Sequence, residues 1–183
     1  MKIEPVTVTL KNGKSVVIRE ATIEDAEELI AVIKQYVGES DFIPFSSDEY
    51  NPTKEAEEAW IYSFTKRDNC LLLVATYENR IIGNIDLTGS QRSMLQHTAV
   101  VGIGVLKKWT NQGLGSVLFD LIIGWAKRNP MLEQLLLNTF ATNNAGMALY
   151  RKFGFSETGR YQGYIKSPCG NYVDNILMTL NIK

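Results

Sequence analysis

The stretch that most restricts how this chain can fold is Thr110-Asn111-Gln112-Gly113-Leu114-Gly115-Ser116. It follows a strand-like run that ends at Leu106 and opens an amphipathic one in which Leu114, Leu118, Leu121, Ile122 and Trp125 share a face at helical spacing. Glycine weakens helices more than any residue except proline, so two of them at a helix start need a reason. One reason is a tight, closely packed turn. The other is an anion. The first helical turn has N–H groups without intrahelical partners and the positive end of the helix dipole, and glycines leave the approach clear. Lys107 and Lys108 would add attraction. On the glycines alone, the packed turn is the better reading. No Gly-Lys-Ser/Thr follows, so this is not a P-loop. The third glycine of the dinucleotide fingerprint is also missing.

The flanking periodicities predict an α+β, mixed α/β fold around one mostly antiparallel sheet with about four helices. Residues 6–20 alternate apolar and polar on both sides of Asn12-Gly13, the strongest short hairpin signal, which calls for positive φ at both turn residues. Thr22 and Asp25 have capping-box spacing, ahead of a helix with Ala26, Leu29, Ile30, Ile33 and Val37 on one face. A second helix is expected to start near Asn51-Pro52 with the proline in its first turn, followed by Glu55, Glu57 and Glu58. Two strands are expected in 70–89 around Glu78-Asn79-Arg80 and a third over 97–106, weakened by Gly102 and Gly104. A buried strand over 132–140, a short helix over 143–153 and two final strands separated by Ser167-Pro168-Cys169-Gly170 complete the order β-β-α-α-β-β-β-α-β-α-β-β.

Size and composition narrow the function classes. At 183 residues, with 45% hydrophobic and 21% charged residues, the chain fits one domain, 1–183, with a substantial core. A formal net charge of −1 argues against a broad nucleic-acid surface. Two cysteines without a CxxC pair and a single histidine, His97, argue against a metal site and Ser/His/Asp chemistry. No signal-peptide core or membrane-length apolar run is visible, so the expected location is cytoplasmic, with no membrane partner.

Downstream stands Thr142-Asn143-Asn144-Ala145-Gly146-Met147-Ala148-Leu149-Tyr150-Arg151-Lys152-Phe153-Gly154-Phe155. Together with Thr110–Gly115, this constellation resembles the GNAT superfamily of acetyl-CoA-dependent N-acetyltransferases. The glycine stretch corresponds to the family's Q/R-x-x-G-x-G/A motif. Asn143, Gly146, Leu149, Tyr150, Lys152, Gly154 and Phe155 correspond to N-x-x-A-x-x-L-Y-x-K-x-G-F. The resemblance covers about residues 16–181 and is strongest over 99–155. It implies a sheet splayed into a V-shaped cofactor cleft, acetyl-CoA as cosubstrate, no metal, and direct attack by a primary amine in a ternary complex. The implied pyrophosphate cradle is Thr110, Asn111, Gln112, Gly113, Leu114, Gly115 and Ser116. Ile103, Gly104 and Val105 would line the pantetheine arm, although a strand bulge would equally tolerate the glycines. Asn143 is the implied amide contact to that arm, with helix capping as its other reading; Asn138 is a weaker cofactor contact. Tyr150 is the expected acid for the leaving thiolate. Lys152 either approaches the cofactor phosphates or is an ordinary surface lysine. The resemblance also leaves a homodimer open.

Two departures bear on mechanism. Thr110 stands where the family has Gln or Arg, which shifts the pyrophosphate grip onto main-chain amides. Val100 stands where many relatives have the glutamate that acts as base, leaving His97, Asp86 or a water chain for that task. The acceptor site is expected between the first two helices, the loop 38–52 and the tail around 159–172. There Glu39, Asp41, Asp48 and Glu49 either favour a cationic amine or merely solvate the loop. A small amine is the preferred acceptor; a protein N-terminus is the alternative within the class, and a non-catalytic CoA-binding module the alternative outside it.

Overall fold

A computed structural model describes residues 3–167 and 169–183. Its elements run β1 (Val6–Thr9), β2 (Ser15–Glu20), α1 (Ala26–Glu39), α2 (Lys54–Thr65), β3 (Leu71–Tyr77), β4 (Arg80–Gly89), β5 (Thr98–Val105), α3 (Leu114–Arg128), β6 (Gln134–Phe140), α4 (Asn144–Lys152), β7 (Ser156–Lys166) and β8 (Tyr172–Asn181). This is the order the periodicities predict.

Turn chemistry explains the hairpins, with one exchange of roles. Gly13 has φ 77°, and Asn12 is not among the residues with positive φ. The Leu10 N–H donates to the Lys14 carbonyl and the Gly13 N–H to that of Leu10, both at 2.9 Å. This is a three-residue loop with a glycine bulge, not a two-residue turn. The tight two-residue turn lies at Glu78 (φ 49°) and Asn79 (φ 61°), between the paired Tyr77 and Arg80. In the β7–β8 connection Gly170 has φ 87° and its N–H donates to the Ser167 carbonyl at 2.8 Å; Pro168 lies outside the described residues.

The helix boundaries follow their caps. The Thr22 N–H donates to Asp25 Oδ2 at 2.8 Å, half of the expected capping box, and Arg19 ties the same carboxylate down at 2.7 Å. The helix α2 starts two residues later than Pro52 suggested, because Thr53 is the cap: its Oγ1 accepts from the Ala56 N–H at 3.2 Å. Its first turn carries Glu55 and Glu57. On α1 the buried face is Ala26, Leu29, Val32, Ile33, Tyr36 and Val37, while Ile30 is only partly covered. The face is thus rotated toward Val32 and Tyr36, because the sheet it covers includes the glycine-bearing β5.

The eight strands form one sheet in the order β1-β2-β3-β4-β5-β6-β8-β7. All neighbours are antiparallel except β5 and β6, which run parallel through only three pairs, ending at Val100↔Leu136. Beyond that point β5 stays on β4 to Val105 and β6 stays on β8 to Phe140, so the sheet opens between them.

Cross-strand partners share a face, so Asn84, Asp86 and Thr88 of β4 lie with Gly104, Gly102 and Val100 of β5. Tyr36 of α1 covers that face and donates its hydroxyl to Asn84 Oδ1 at 3.1 Å. The opposite face, with Ile85, Leu87, Val101 and Ile103, meets α3 and holds the main core around Leu118, Phe119, Ile122 and Trp125. No bulge interrupts the β4–β5 register at Gly104, and packing alone already calls for glycine there. A Cβ there would stand inside the Tyr36 ring.

Gly104→Ala is therefore expected to destabilise the protein by about 1–3 kcal/mol through overpacking. Urea unfolding measures it, and in a Tyr36→Ala background the same substitution should cost much less.

Candidate functional site

Where β5 and β6 part, the sheet encloses a cavity of about 280 Å³. Its walls are Val101–Val105 on one side and Leu137–Thr139 on the other, and Phe119, Asn143 and Tyr150 also line it. Tyr36, Ser40 and the loop residues Phe42–Pro44 close one end. From Val101 onward no strand lies beside β5 on its β6 side. Backbone N–H and C=O groups there are open to an extended ligand, which can add to the edge as a strand would.

Six of the expected site residues meet at this cavity: Ile103, Gly104, Val105, Asn138, Asn143 and Tyr150. The Asn143 side chain is occupied locally. Its Oδ1 caps α4 by accepting from the Gly146 N–H at 2.9 Å, and its Nδ2 reaches Thr139 Oγ1 at 3.2 Å. A Cβ at Gly146 would collide with this cap, which is why glycine suits the position. Asn138 Oδ1 accepts from Asn175 Nδ2 at 3.4 Å across β6 and β8. Tyr150 is 9% exposed, packed by Phe119 and Phe155 with its hydroxyl toward Thr139. Burial raises its pKa, so the phenol holds its proton at neutral pH.

The cradle residues stand apart from the cavity walls, at the first turn of α3. Asn111 (φ 60°) and Gly113 (φ 93°) are left-handed, and Gly113 is the helix N-cap. Gly113 is thus required by its backbone conformation. Gly115 lets α4 pack closely, since a Cβ there would stand 3.2 Å from Leu149 Cδ2. The Leu114 side chain is fully buried, which leaves its backbone as its only contribution to the turn's surface. Thr110 turns away: its Oγ1 donates to the Lys107 carbonyl at 2.8 Å and closes the short turn around buried Trp109. Lys152 Nζ lies 3.3 Å from Ser116 Oγ, so the two sequence motifs meet here.

Lys11 at the same spot was not foreseen. Its N–H donates to the Gln112 carbonyl at 3.0 Å, and its side chain runs along Gly113, with Cγ 3.7 Å from where a Cβ would stand. No motif marks it, because a turn more than 100 residues upstream supplies it. The cradle's open amides, left-handed entry and neighbouring lysines suit a pyrophosphate.

The candidates for base separate clearly. His97 is exposed, just before β5, and is not among the cavity residues; its carbonyl binds the Glu133 and Gln134 N–H groups. Val100 is 44% exposed and faces Thr88. Asp86 lies two residues deeper, opposite Gly102. It occupies the room a side chain at Gly102 would take, with Oδ1 2.5 Å from that Cβ position. Solvent still reaches Asp86, but packed protein surrounds it, and this desolvation lifts its pKa to about 7, against a hydrogen bond from Thr88 Oγ1 at 3.0 Å. On the same side Glu57 of α2 is 3% exposed and accepts from the Tyr50 hydroxyl; burial raises its pKa too. Among the described residues neither carboxylate has a Lys or Arg within ion-pair distance.

Residues 35–155 match the acetyltransferase (GNAT) family. The chain is similar to the L-amino acid N-acetyltransferase AaaT of Escherichia coli, at 27% identity over 123 residues, 67% of this chain and 75% of that protein. It superposes on an acetyltransferase of the GNAT family from Streptococcus pneumoniae with a TM-score of 0.88 and 31% identity, over 91% of this chain and 99% of that one. The fold alone is shared with yncA of Salmonella typhimurium, solved with its cofactor acetyl-CoA, at a TM-score of 0.81 and 18% identity over 92% and 94% of the two chains.

The Asp86 carboxyl is expected to titrate near pH 7 in ¹³C NMR of the folded protein. Its folded pKa lies above the ordinary 3.8, so its stabilising effect is complete below about pH 4 and is lost as pH rises through 7. Asp86→Asn should then melt higher than the parent at pH 8, with the difference vanishing at pH 4.

Proposed function

The chain belongs to the GNAT family of acetyl-CoA-dependent acetyltransferases, and we propose that it carries the acetyl group to the nitrogen of a small primary amine by direct attack. The observation that carries this reading is the parting of β5 and β6 at Val100↔Leu136 over a cavity that contains a proton-holding tyrosine, with a carboxylate behind its Gly102 wall. In the bound state acetyl-CoA supplies a thioester carbonyl and a thiolate leaving group.

The protein's own residues divide the rest of the work. Main-chain amides from Gln112 to Ser116 hold the pyrophosphate, Lys11 and Lys152 add charge, and Thr110 shapes the turn without touching the ligand. The open edge of β5 at Ile103, Gly104 and Val105 orients the pantetheine arm and aims a backbone N–H at the developing oxyanion. Asn143 keeps α4 in place, so that Tyr150 is fixed, and Asn138 borders the arm. Asp86 takes the proton of the attacking amine; a base with a pKa near 7 is half-ionised at neutral pH and strong enough to accept. Tyr150 donates its proton to the leaving sulfur. Asp86 so replaces the glutamate that Val100 lacks, from the neighbouring strand and across a glycine.

A thiol-release assay with acetyl-CoA and a panel of amines, amino acids and N-terminal peptides tests the reading, and absence of acetyl-CoA binding overturns it. Tyr150→Phe and Asp86→Asn should each lower kcat by about 10²–10⁴-fold with the acetyl-CoA Kd little changed, and kcat/KM of the parent should rise with pH through about 7. Gly113→Val should weaken acetyl-CoA binding far more than Thr110→Ala; equal losses return the glycines to packing alone.

A further inference from the structure

The acceptor end of the cavity has walls of unusual uniformity. Tyr36, Phe42, Ile43 and Pro44 form it, with Ser40 as the added polar group. Phe42 packs edge-on against Phe140 at the end of β6, ring centroids 6.1 Å apart, so the loop is anchored across the opening of the sheet. None of the described residues lining the cavity is charged.

What lies directly behind this wall is negative. Asp86 abuts Gly102, and Tyr36 sits within the field of both Asp86 and Glu57, which together with burial hold its phenol protonated. Glu39, at the end of α1, accepts the Lys107 N–H at 2.7 Å and Gln35 Nε2 at 2.8 Å and lies in the field of Lys107 and Lys108, so the negative charge that acts on the cavity is chiefly that of Asp86 and Glu57. The nearby cation of the β7–β8 hairpin, Arg160, is held by Glu157 and Asp174, both at 3.0 Å. An ammonium group entering here is attracted. A carboxylate attached beside that nitrogen would be desolvated against a lining that, among the described residues, offers it no charged partner, and would face Asp86 behind it, which is strongly unfavourable.

Resting on the acetyltransferase reading, we infer that the acceptor is a primary amine with an aromatic or branched apolar body and no carboxylate next to its nitrogen, which excludes free α-amino acids as good acceptors. The amine, having lost its ammonium proton to solvent, supplies the lone pair that forms the new C–N bond; the C–S bond breaks, the leaving thiolate takes the Tyr150 proton, and the proton the nitrogen sheds after attack leaves to Asp86.

Matched pairs differing only in the carboxylate test this: phenethylamine against phenylalanine, and 3-methylbutylamine against leucine, by thiol release at fixed acetyl-CoA. The expected result is a kcat/KM for each amine at least about 100-fold above its amino acid. Equal or better use of the amino acids overturns the inference, as does turnover of neither member by protein that binds acetyl-CoA and acetylates other amines. Failure to bind acetyl-CoA instead overturns the transferase reading itself. Phe42, 40% exposed, accepts a longer side chain at the surface. Phe42→Arg should therefore remain folded by circular dichroism and shift the amine-to-amino-acid ratio toward phenylalanine by about tenfold. An unchanged ratio overturns the assignment of this discrimination to the wall.

Discussion

Everything that sets this structure apart from a closed sheet follows from one broken ladder. The parallel pairing of β5 with β6 lasts three residue pairs and then stops. Each strand remains fully paired on its outer side, β5 with β4 and β6 with β8, so neither is free to close the gap. Helix α1 adds to this through Tyr36, whose ring takes the place where Gly104 has no side chain. The result is a cavity with unpaired backbone on one wall, a feature that a sheet normally avoids because unpaired amides are costly to bury. In the proposed reading, an extended ligand that completes the ladder recovers this cost.

The same economy of side chains arranges the proposed chemistry. Gly102 leaves a gap that the Asp86 carboxylate fills from the adjacent strand. Enclosure without a cation partner raises the pKa of Asp86 into the range useful for taking a proton from an ammonium group. Gly113 and Gly115 look alike in the sequence but serve different needs: one adopts a left-handed conformation, the other admits Leu149. Both needs bring α3 and α4 together, so that Lys152 meets Ser116 and Tyr150 reaches the cavity.

Much of the fold was legible because its signals are local. Alternation, helical spacing and capping residues placed all twelve elements in order, and the motifs around Gly113 and Asn143 pointed to the family. The misplacements are local too, and each has a competing residue. Gly13 takes its left-handed conformation in a bulge, not in a two-residue turn, while Glu78 and Asn79 accept the positive φ expected of Asn12. Thr53 displaces Pro52 as the start of α2 by offering a hydroxyl to the Ala56 N–H. Two polar side chains take local partners without being misplaced: Thr110 bonds to its own turn, and Asn143 fills the capping role that was its other reading, while reaching Thr139.

By itself the sequence determined the order of strands and helices, the glycines at the start of α3 and the tyrosine on α4, since these depend on the conformational preferences of neighbouring residues. Only the tertiary structure decided which carboxylate lies against the cleft, that Lys11 runs beside Gly113 at the first turn of α3, and that an uncharged aromatic wall stands before Asp86 and Glu57. Those facts depend on strand register and on which face a helix turns inward. A one-residue change in register would send Asp86 to the opposite face and leave the gap at Gly102 empty.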